Sequence, residues 1–411
     1  MSFSFILKMG DFLSMKKNKI LVLLVFLLLF IYLILPEPKE KEKQTVEEKR
    51  AIFVSYIELS HYLKGKDEAA MKNIIDDMIE QISDFSFNMI LLQVRSFSDA
   101  IYPSTIFPSS SMIVEQEGAA LPFDVLDYFI QKAHAHQIEL HAWINPYRIR
   151  SSISTSPITE KNPAFLWLTT DKVKTIEGKG TFYNPASKEV EALILDGIQE
   201  ILDNYLVDGI HFDDYFYPDD TIDQIEYQKA FVADQSLTLQ QYRLQVTSSL
   251  IQKVYRLVKK KNKRLLFGIS PEGNIDNNYT SNYIDTKKFG KEKGYVDYLM
   301  PQIYFGFLNE SRPFYATMEQ WNQLIQEKSV MLIPALAFYK VGKYDDYAKA
   351  GANEWLDNNS IIMREVLASR SFSSYFGFAI FRYDSIFSPS LSQTAFFEKE
   401  NLKSILSDPA S

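Results

Sequence analysis

The segment VDGIHFDDYFYP places two carboxylates, Asp213 and Asp214, at the end of a short β-rich run. Alternate side chains of an extended strand share a face, so His211 and Asp213 point one way and Ile210 and Phe212 the other. A third acid, Glu272, follows the run RLLFGIS with the parity of Gly268 and Ser270. If the two runs are adjacent strands, ~4.8 Å apart, Glu272 faces Asp213 across the ~5–9 Å that separates the carboxyl pair in glycosidic bond cleavage. In that chemistry one carboxyl protonates the leaving oxygen and the other attacks or stabilises the anomeric carbon. Asp213 is read as nucleophile or electrostatic stabiliser and Glu272 as general acid, with Asp214 or Asp384 as the substitutes for Glu272. The plainer readings of the same residues are a strand-end Asp bonded to its own turn and a solvated loop Glu.

Other strand ends are also polar or aromatic. Arg95 in Gln93-Val94-Arg95, and Asn145 and Arg148 in HAWINPYR, read as substrate positioners, as partners that keep the carboxylates ionised, or as a salt-bridge network without substrate contact. His141 and His211 are expected to hydrogen-bond sugar hydroxyls or the nucleophile. Trp143, Tyr147, Tyr215, Tyr217 and Tyr304 suit stacking on sugar faces, although any single one is equally a packing residue. Gln302 and Asp384 complete the candidate substrate contacts. Rival chemistries lack their residues. Residues 54–58 hold no His-x-His, His134 and His136 stand two apart on a helix, and the acids of 213–223 lack EF-hand spacing. There is no G-x-S-x-G turn, and with no cysteine in the chain a thiolate metal site or nucleophile is excluded. Neither a metal nor a cofactor is expected.

Eight β-rich runs position these residues: 51–59, 87–95, 138–145, 207–213, 264–270, 296–304, 330–338 and 375–381. Between them lie amphipathic stretches at 67–84, 123–136, 187–205, 239–261, 313–327 and 360–371. This alternation predicts a (β/α)8 barrel of the TIM type, whose chemistry sits at the C-terminal ends of the strands. An open doubly wound sheet is the alternative, but no Gly-rich phosphate turn follows the first strand.

Residues 20–35 are an unbroken apolar run preceded by Lys16, Lys17 and Lys19. The run predicts a signal anchor over 20–36, with 1–19 as a short cytoplasmic tail and the rest of the chain outside. A cleaved signal peptide, giving a secreted protein, is the alternative. Residues 37–50 mix acids and bases evenly and read as a flexible linker, leaving 51–411 as the folded domain. The chain carries −8 overall; its first 50 residues carry +3, so −11 falls on the remainder. An acidic body argues against nucleic acid as a partner.

The blocks QVRSFSDAIYPS, HAWINPYR, VDGIHFDDYFYP, GISPEG and VDYLMPQIY resemble the motifs of glycosyl hydrolase-like family 10, over roughly residues 51–384. Its members are surface or periplasmic (β/α)8 enzymes that act on peptidoglycan glycan strands. Their Trp-Arg pattern in the helix after the fourth strand stands here as Tyr242-Arg243. The spacing Asp208-Gly209-x-x-x-Asp213 is also similar to the fourth strand of α-amylase-type glycosidases, where the last Asp is the nucleophile. The resemblance implies a glycosidase whose partner is a cell-wall polysaccharide, with strands stripped of stem peptides as candidate substrate; the apolar run adds that it is membrane-anchored with its catalytic domain extracytoplasmic. A catalytically silent glycan-binding barrel that tethers membrane to wall is the second hypothesis.

Overall fold

The computed structural model describes residues 47–154, 157–213 and 217–406. The predicted anchor and most of the linker, and with them Asp214 and Tyr215, lie outside the described residues. No helix among the described residues is long and apolar enough to cross a membrane.

Nine parallel strands form one sheet: β1 (Lys49–Val54), β2 (Met89–Arg95), β3 (Glu139–Ile144), β7 (Gly209–Asp213), β8 (Leu266–Ser270), β9 (Tyr298–Leu299), β10 (Met331–Leu332), β11 (Ala335–Leu336) and β12 (Gly377–Ile380). Their order is β10-β9-β8-β7-β3-β2-β1-β12-β11. The first and last in that order are halves of one predicted strand, 330–338, split at Ile333-Pro334. Proline has no N–H for the ladder, yet Ile333 N still donates to Leu299 O (3.0 Å) and Pro334 O accepts from Ala379 N (2.9 Å). The two ends of the sheet therefore meet, and the sheet curls into an α/β barrel-like fold. Each of the eight expected runs contributes to it.

The predicted helices also form, and their caps explain where they start. Asp67 caps Glu68–Asp84, which buries Met71, Ile75, Met78, Ile79 and Ile82. Ser187 caps Lys188–Asn204, and a Thr238–Gln241 capping box opens Leu239–Lys261. Two expectations change. The first strand stops at Val54 instead of 59, because Ser55 and Glu58 form a capping box that starts a helix at Tyr56–Tyr62. In the connection after β3 the chain adds a small antiparallel sheet that was not expected: β4 (Arg148–Ser151), β5 (Val173–Ile176) and β6 (Gly180–Tyr183).

Two apolar layers result from strand parity. Ile52, Val54, Ile90, Leu92 and Ile210 face the surrounding helices. Ala51, Phe53, Met89, Leu91, Trp143, Tyr298 and Ala379 pack inside the curl of the sheet. Gly268 belongs to the inner layer by necessity: a Cβ there would sit 2.1 Å from the Tyr298 ring.

β1 begins at Lys49, two residues inside the segment read as linker. Glu48 just before it accepts hydrogen bonds from Arg370 Nε (2.8 Å) and Nη2 (3.0 Å), Tyr375 Oη (2.7 Å) and Arg50 Nε (2.9 Å). Burial opposes the charge on Glu48, but these donors outweigh it and hold its carboxyl below the usual glutamate range. A carboxyl lowered by folding stabilises the fold above its unfolded pKa, and that contribution disappears as pH falls through the folded value. Glu48→Gln is therefore expected to lose about 1–3 kcal/mol at pH 7 and to converge on the parent at an acid pH below the folded value. Urea midpoints at the two pH values check this; an equal loss at both would remove Glu48's charge from the account.

Candidate active site

Asp213 ends β7 with its side chain nearly buried, 9% exposed. Its Oδ1 accepts from Gln302 Nε2 at 2.8 Å, and the same amide nitrogen lies 3.3 Å from Ser270 O. Asp213 is in register with Ser270 across β7 and β8. Glu272 lies two residues further along and is joined to Gln302 by a parallel β-bridge. Gln302 thus touches both acids' positions: its side chain orients Asp213 and its backbone neighbours Glu272. The Glu272 backbone is held by Asn278 through two bonds of 3.1 and 2.7 Å, and its half-buried carboxylate accepts from Asn277 Nδ2 at 3.3 Å. This end of the sheet thus carries Asp213 at the end of β7 and Glu272 two residues beyond β8, with the Gln302 amide donating to Asp213.

Asn145 is buried at the end of β3, and its Oδ1 accepts from Gln93 Nε2 at 2.5 Å. Gln93 Oε1 in turn accepts from Tyr56 N at 2.8 Å, tying the start of the first helix to the ends of β2 and β3. Gln93 was not among the expected site residues, although its polar side chain shares parity with the inward Met89 and Leu91. Arg95, which was expected there, points the other way. The β2–β3 register shifts between Gln93 and Arg95, and Arg95 pairs with the outward Ile144. A one-residue irregularity of this kind reverses the face taken by the residues after it. Arg95 is buried with its guanidinium 3.7 Å from the Phe107 ring centre and close enough to helix Lys188–Asn204 that a Cβ on Gly197 would meet Nη1 at 2.5 Å. It is a packing residue behind the sheet, away from Asp213.

His141, Trp143 and His211 are fully or almost fully buried inside the curl, Trp143 in register with His211 and His141 with Gly209, all earlier along the strands than Asp213. Trp143 stands edge-on to Phe53 (5.2 Å). The Tyr298 hydroxyl lies 3.0 Å from Nδ1 of both histidines. A single hydroxyl donates to at most one Nδ1, so at least one of the two rings carries its proton on Nδ1. Burial holds both neutral: it pushes His211 down to about 3, and His141 well below its usual value with help from His211 and Lys49. The expected contact of these rings with sugar or nucleophile gives way to a structural role: they support the floor beneath Asp213. Tyr147 is likewise core, 1% exposed and packed with the helix-facing layer.

Arg148 and Tyr217 border a cleft of about 750 Å³ between the small sheet and the loops after β7 and β8. The Arg148 guanidinium lies 5.0 Å from the Phe97 ring centre and 5.9 Å from that of Tyr56. Tyr217 stands edge-on to Tyr283 at 5.3 Å. Beneath them Arg243, fully buried, pairs with Asp223 in a fork of 2.9 Å (Nε to Oδ2) and 2.7 Å (Nη2 to Oδ1). Tyr304 is edge-on to Tyr339 at 5.8 Å. Asp384 accepts from Tyr62 Oη at 2.6 Å and lies beside Arg382, which also bonds the buried Glu58. Glu58 and Arg382 were missed; read as strand, Glu58 had no reason to meet the eighth strand's end. Among the described residues no group of three His, Asp or Glu side chains is arranged to hold a metal ion.

A family model described as glycosyl hydrolase-like 10 matches residues 48–352. Glycosyl hydrolase YngK of Bacillus subtilis is 26% identical over 329 residues, 74% of this chain and 63% of that protein, so the match spans less than two thirds of that relative's length. Glycosyl hydrolase DigH of Escherichia coli K12 is 26% identical over 347 residues, 77% of this chain and 76% of that one. Among solved structures, the PgaB glycoside hydrolase domain from Bordetella bronchiseptica is similar with a TM-score of 0.55 and 13% identity, over 88% of this chain and 99% of that chain. The catalytic domain of β-amylase from Paenibacillus polymyxa gives 0.55 and 9% over the same shares. At such identities the structural likeness speaks for the fold. The family match covers most of the chain, including Asp213, Glu272 and Gln302, and on that ground the chain belongs to the glycosyl hydrolase-like 10 family.

Proposed function

We propose that this protein is an extracytoplasmic glycoside hydrolase on a (β/α)8 barrel, held at the membrane by residues 20–36, that cleaves cell-wall glycan strands with two carboxylates. The observation that carries the reading is Gln302, whose side chain holds Asp213 while its backbone bridges to Glu272. Asp213, fixed through one oxygen, is the nucleophile or charge stabiliser of an oxocarbenium-like transition state, and Glu272 protonates the leaving oxygen. Arg148, Tyr217 and Tyr304 line the approach, while the buried Asn145 accepts from Gln93 at the ends of β2 and β3. The lysines before the apolar run keep the short N-terminal tail inside and send the barrel out, where wall polysaccharide is the available glycan.

The test is incubation of the purified folded domain with purified wall glycan strands, with and without stem peptides, followed by mass analysis. The expected products are shorter strands with new reducing ends. Strands that are retained on immobilised protein but never shortened would replace the hydrolase by the silent wall-binding barrel.

A further inference from the structure

We infer that a second sugar subsite lies beside β12, in a cavity of about 340 Å³ at the same end of the sheet as Asp213, and that it holds a pyranose unit of the glycan chain remote from the bond being cleaved. The inference rests on the glycan reading above and extends it to how much of the chain is gripped. The cavity walls come from the loop after β11, which contributes Tyr339 and Lys343, and from the chain after β12, which contributes Arg382 and Asp384. Both follow the carboxyl ends of their strands, as Asp213 does.

The segment Gln302–Tyr304 links Asp213 to the cavity wall. Gln302 bonds Asp213, and Tyr304 follows two residues later. The Tyr304 ring meets Tyr339 at 5.8 Å and Phe381 at 5.8 Å, and those two meet each other at 6.0 Å. Tyr339 then lines the cavity. Lys340 fixes this wall, donating to Tyr304 O at 2.8 Å and pairing with Asp345 at 2.8 Å. The three rings form one compact cluster, and the member that lines the cavity, Tyr339, offers an aromatic surface suited to the apolar face of one sugar ring.

The lining matches one pyranose in size and chemistry. The volume falls at the low end of the roughly 300–1,000 Å³ of small-molecule sites. Arg382 and Asp384 are pinned from behind by buried Glu58 and by Tyr62, so their positions do not wait for a ligand. Ser388, Ser390 and Ser392 also line the space; Ser392 Oγ accepts from Ala395 N and keeps its own proton to donate, and the Ser388–Ser390 hydroxyl pair leaves one proton to donate, as sugar hydroxyls can accept.

Two variants test the subsite: Tyr339→Ala removes its aromatic wall, and Ser390→Trp fills it from an exposed position where folding is not at stake. With glycan strands fractionated by length, each variant is expected to lower kcat/KM on long strands about ten-fold through KM, with kcat and the rate on the shortest cleavable strands unchanged. An equal loss at all lengths, or no loss on long strands with Ser390→Trp, overturns the subsite. If the wild type cleaves nothing, the same comparison is made on strand binding. About ten-fold weaker retention of long strands by Ser390→Trp supports the subsite after the hydrolase reading has failed, and unchanged retention overturns it. A wild type that neither cleaves nor binds removes both.

Discussion

An Asp213→Asn protein is expected to keep its fold and its hold on glycan strands while losing cleavage by about three orders of magnitude or more. The cause is electrostatic. Asn has nearly the shape of Asp and still accepts the 2.8 Å hydrogen bond from Gln302 Nε2. What it lacks is the negative charge facing the anomeric carbon as positive charge develops there. Each ~1.4 kcal/mol of lost stabilisation is a factor of ten, and a catalytic carboxylate is worth several such steps. Parallel measurement of cleavage rate, strand retention and melting temperature separates a chemical defect from a folding one. A variant that retained more than about a tenth of the parent rate, a loss under ~1.4 kcal/mol, would exclude Asp213 as nucleophile.

Strand parity alone makes Asp213 legible in the sequence. In GIHFD the inward and outward sets differ chemically, and β7 obeys the alternation. The same rule failed for Arg95 because a register shift between Gln93 and Arg95 reverses the face, and QVR carries no glycine or proline to announce it. It failed at 55–59 for a different reason. YIEL alternates like a strand, but the Ser55–Glu58 capping box satisfies the first backbone donors of a helix, and local hydrogen bonding wins. Parity also says nothing about depth. His141, His211 and Asp213 share a face, yet the histidines lie lower along the strands, where only a packed interior with a glycine opposite Tyr298 accommodates the rings. Pairings between distant loops, such as Glu58 with Arg382, depend on the curl of the whole sheet and leave no mark in local sequence.

Arg243→Met is expected to be the most damaging single change to stability, costing about 3–5 kcal/mol. The guanidinium and the Asp223 carboxylate are both fully buried and joined by a two-bonded fork. Nη1 also donates to Tyr283 Oη at 2.8 Å, and Nη2 to the carbonyl of Asp220. The guanidinium lies 4.8 Å from the Tyr283 ring centre and 5.3 Å from that of Tyr217. One side chain from helix Leu239–Lys261 thus clamps the loop that follows Asp213 and the loop that follows Glu272. Burial disfavours its charge, but Asp223 outweighs that cost and raises the guanidinium pKa. Removing Arg243 leaves the Asp223 carboxyl buried without its partner, which is where most of the penalty arises. Arg243→Met combined with Asp223→Leu removes both charges and is expected to recover much of the loss. Arg243→Lys is expected to fall between parent and Met, because an ammonium reproduces the charge but not the planar fork. Urea unfolding of the parent and the three variants measures these differences. If the double variant is no more stable than Arg243→Met alone, the penalty comes from lost packing against Tyr217 and Tyr283 and not from the stranded carboxylate.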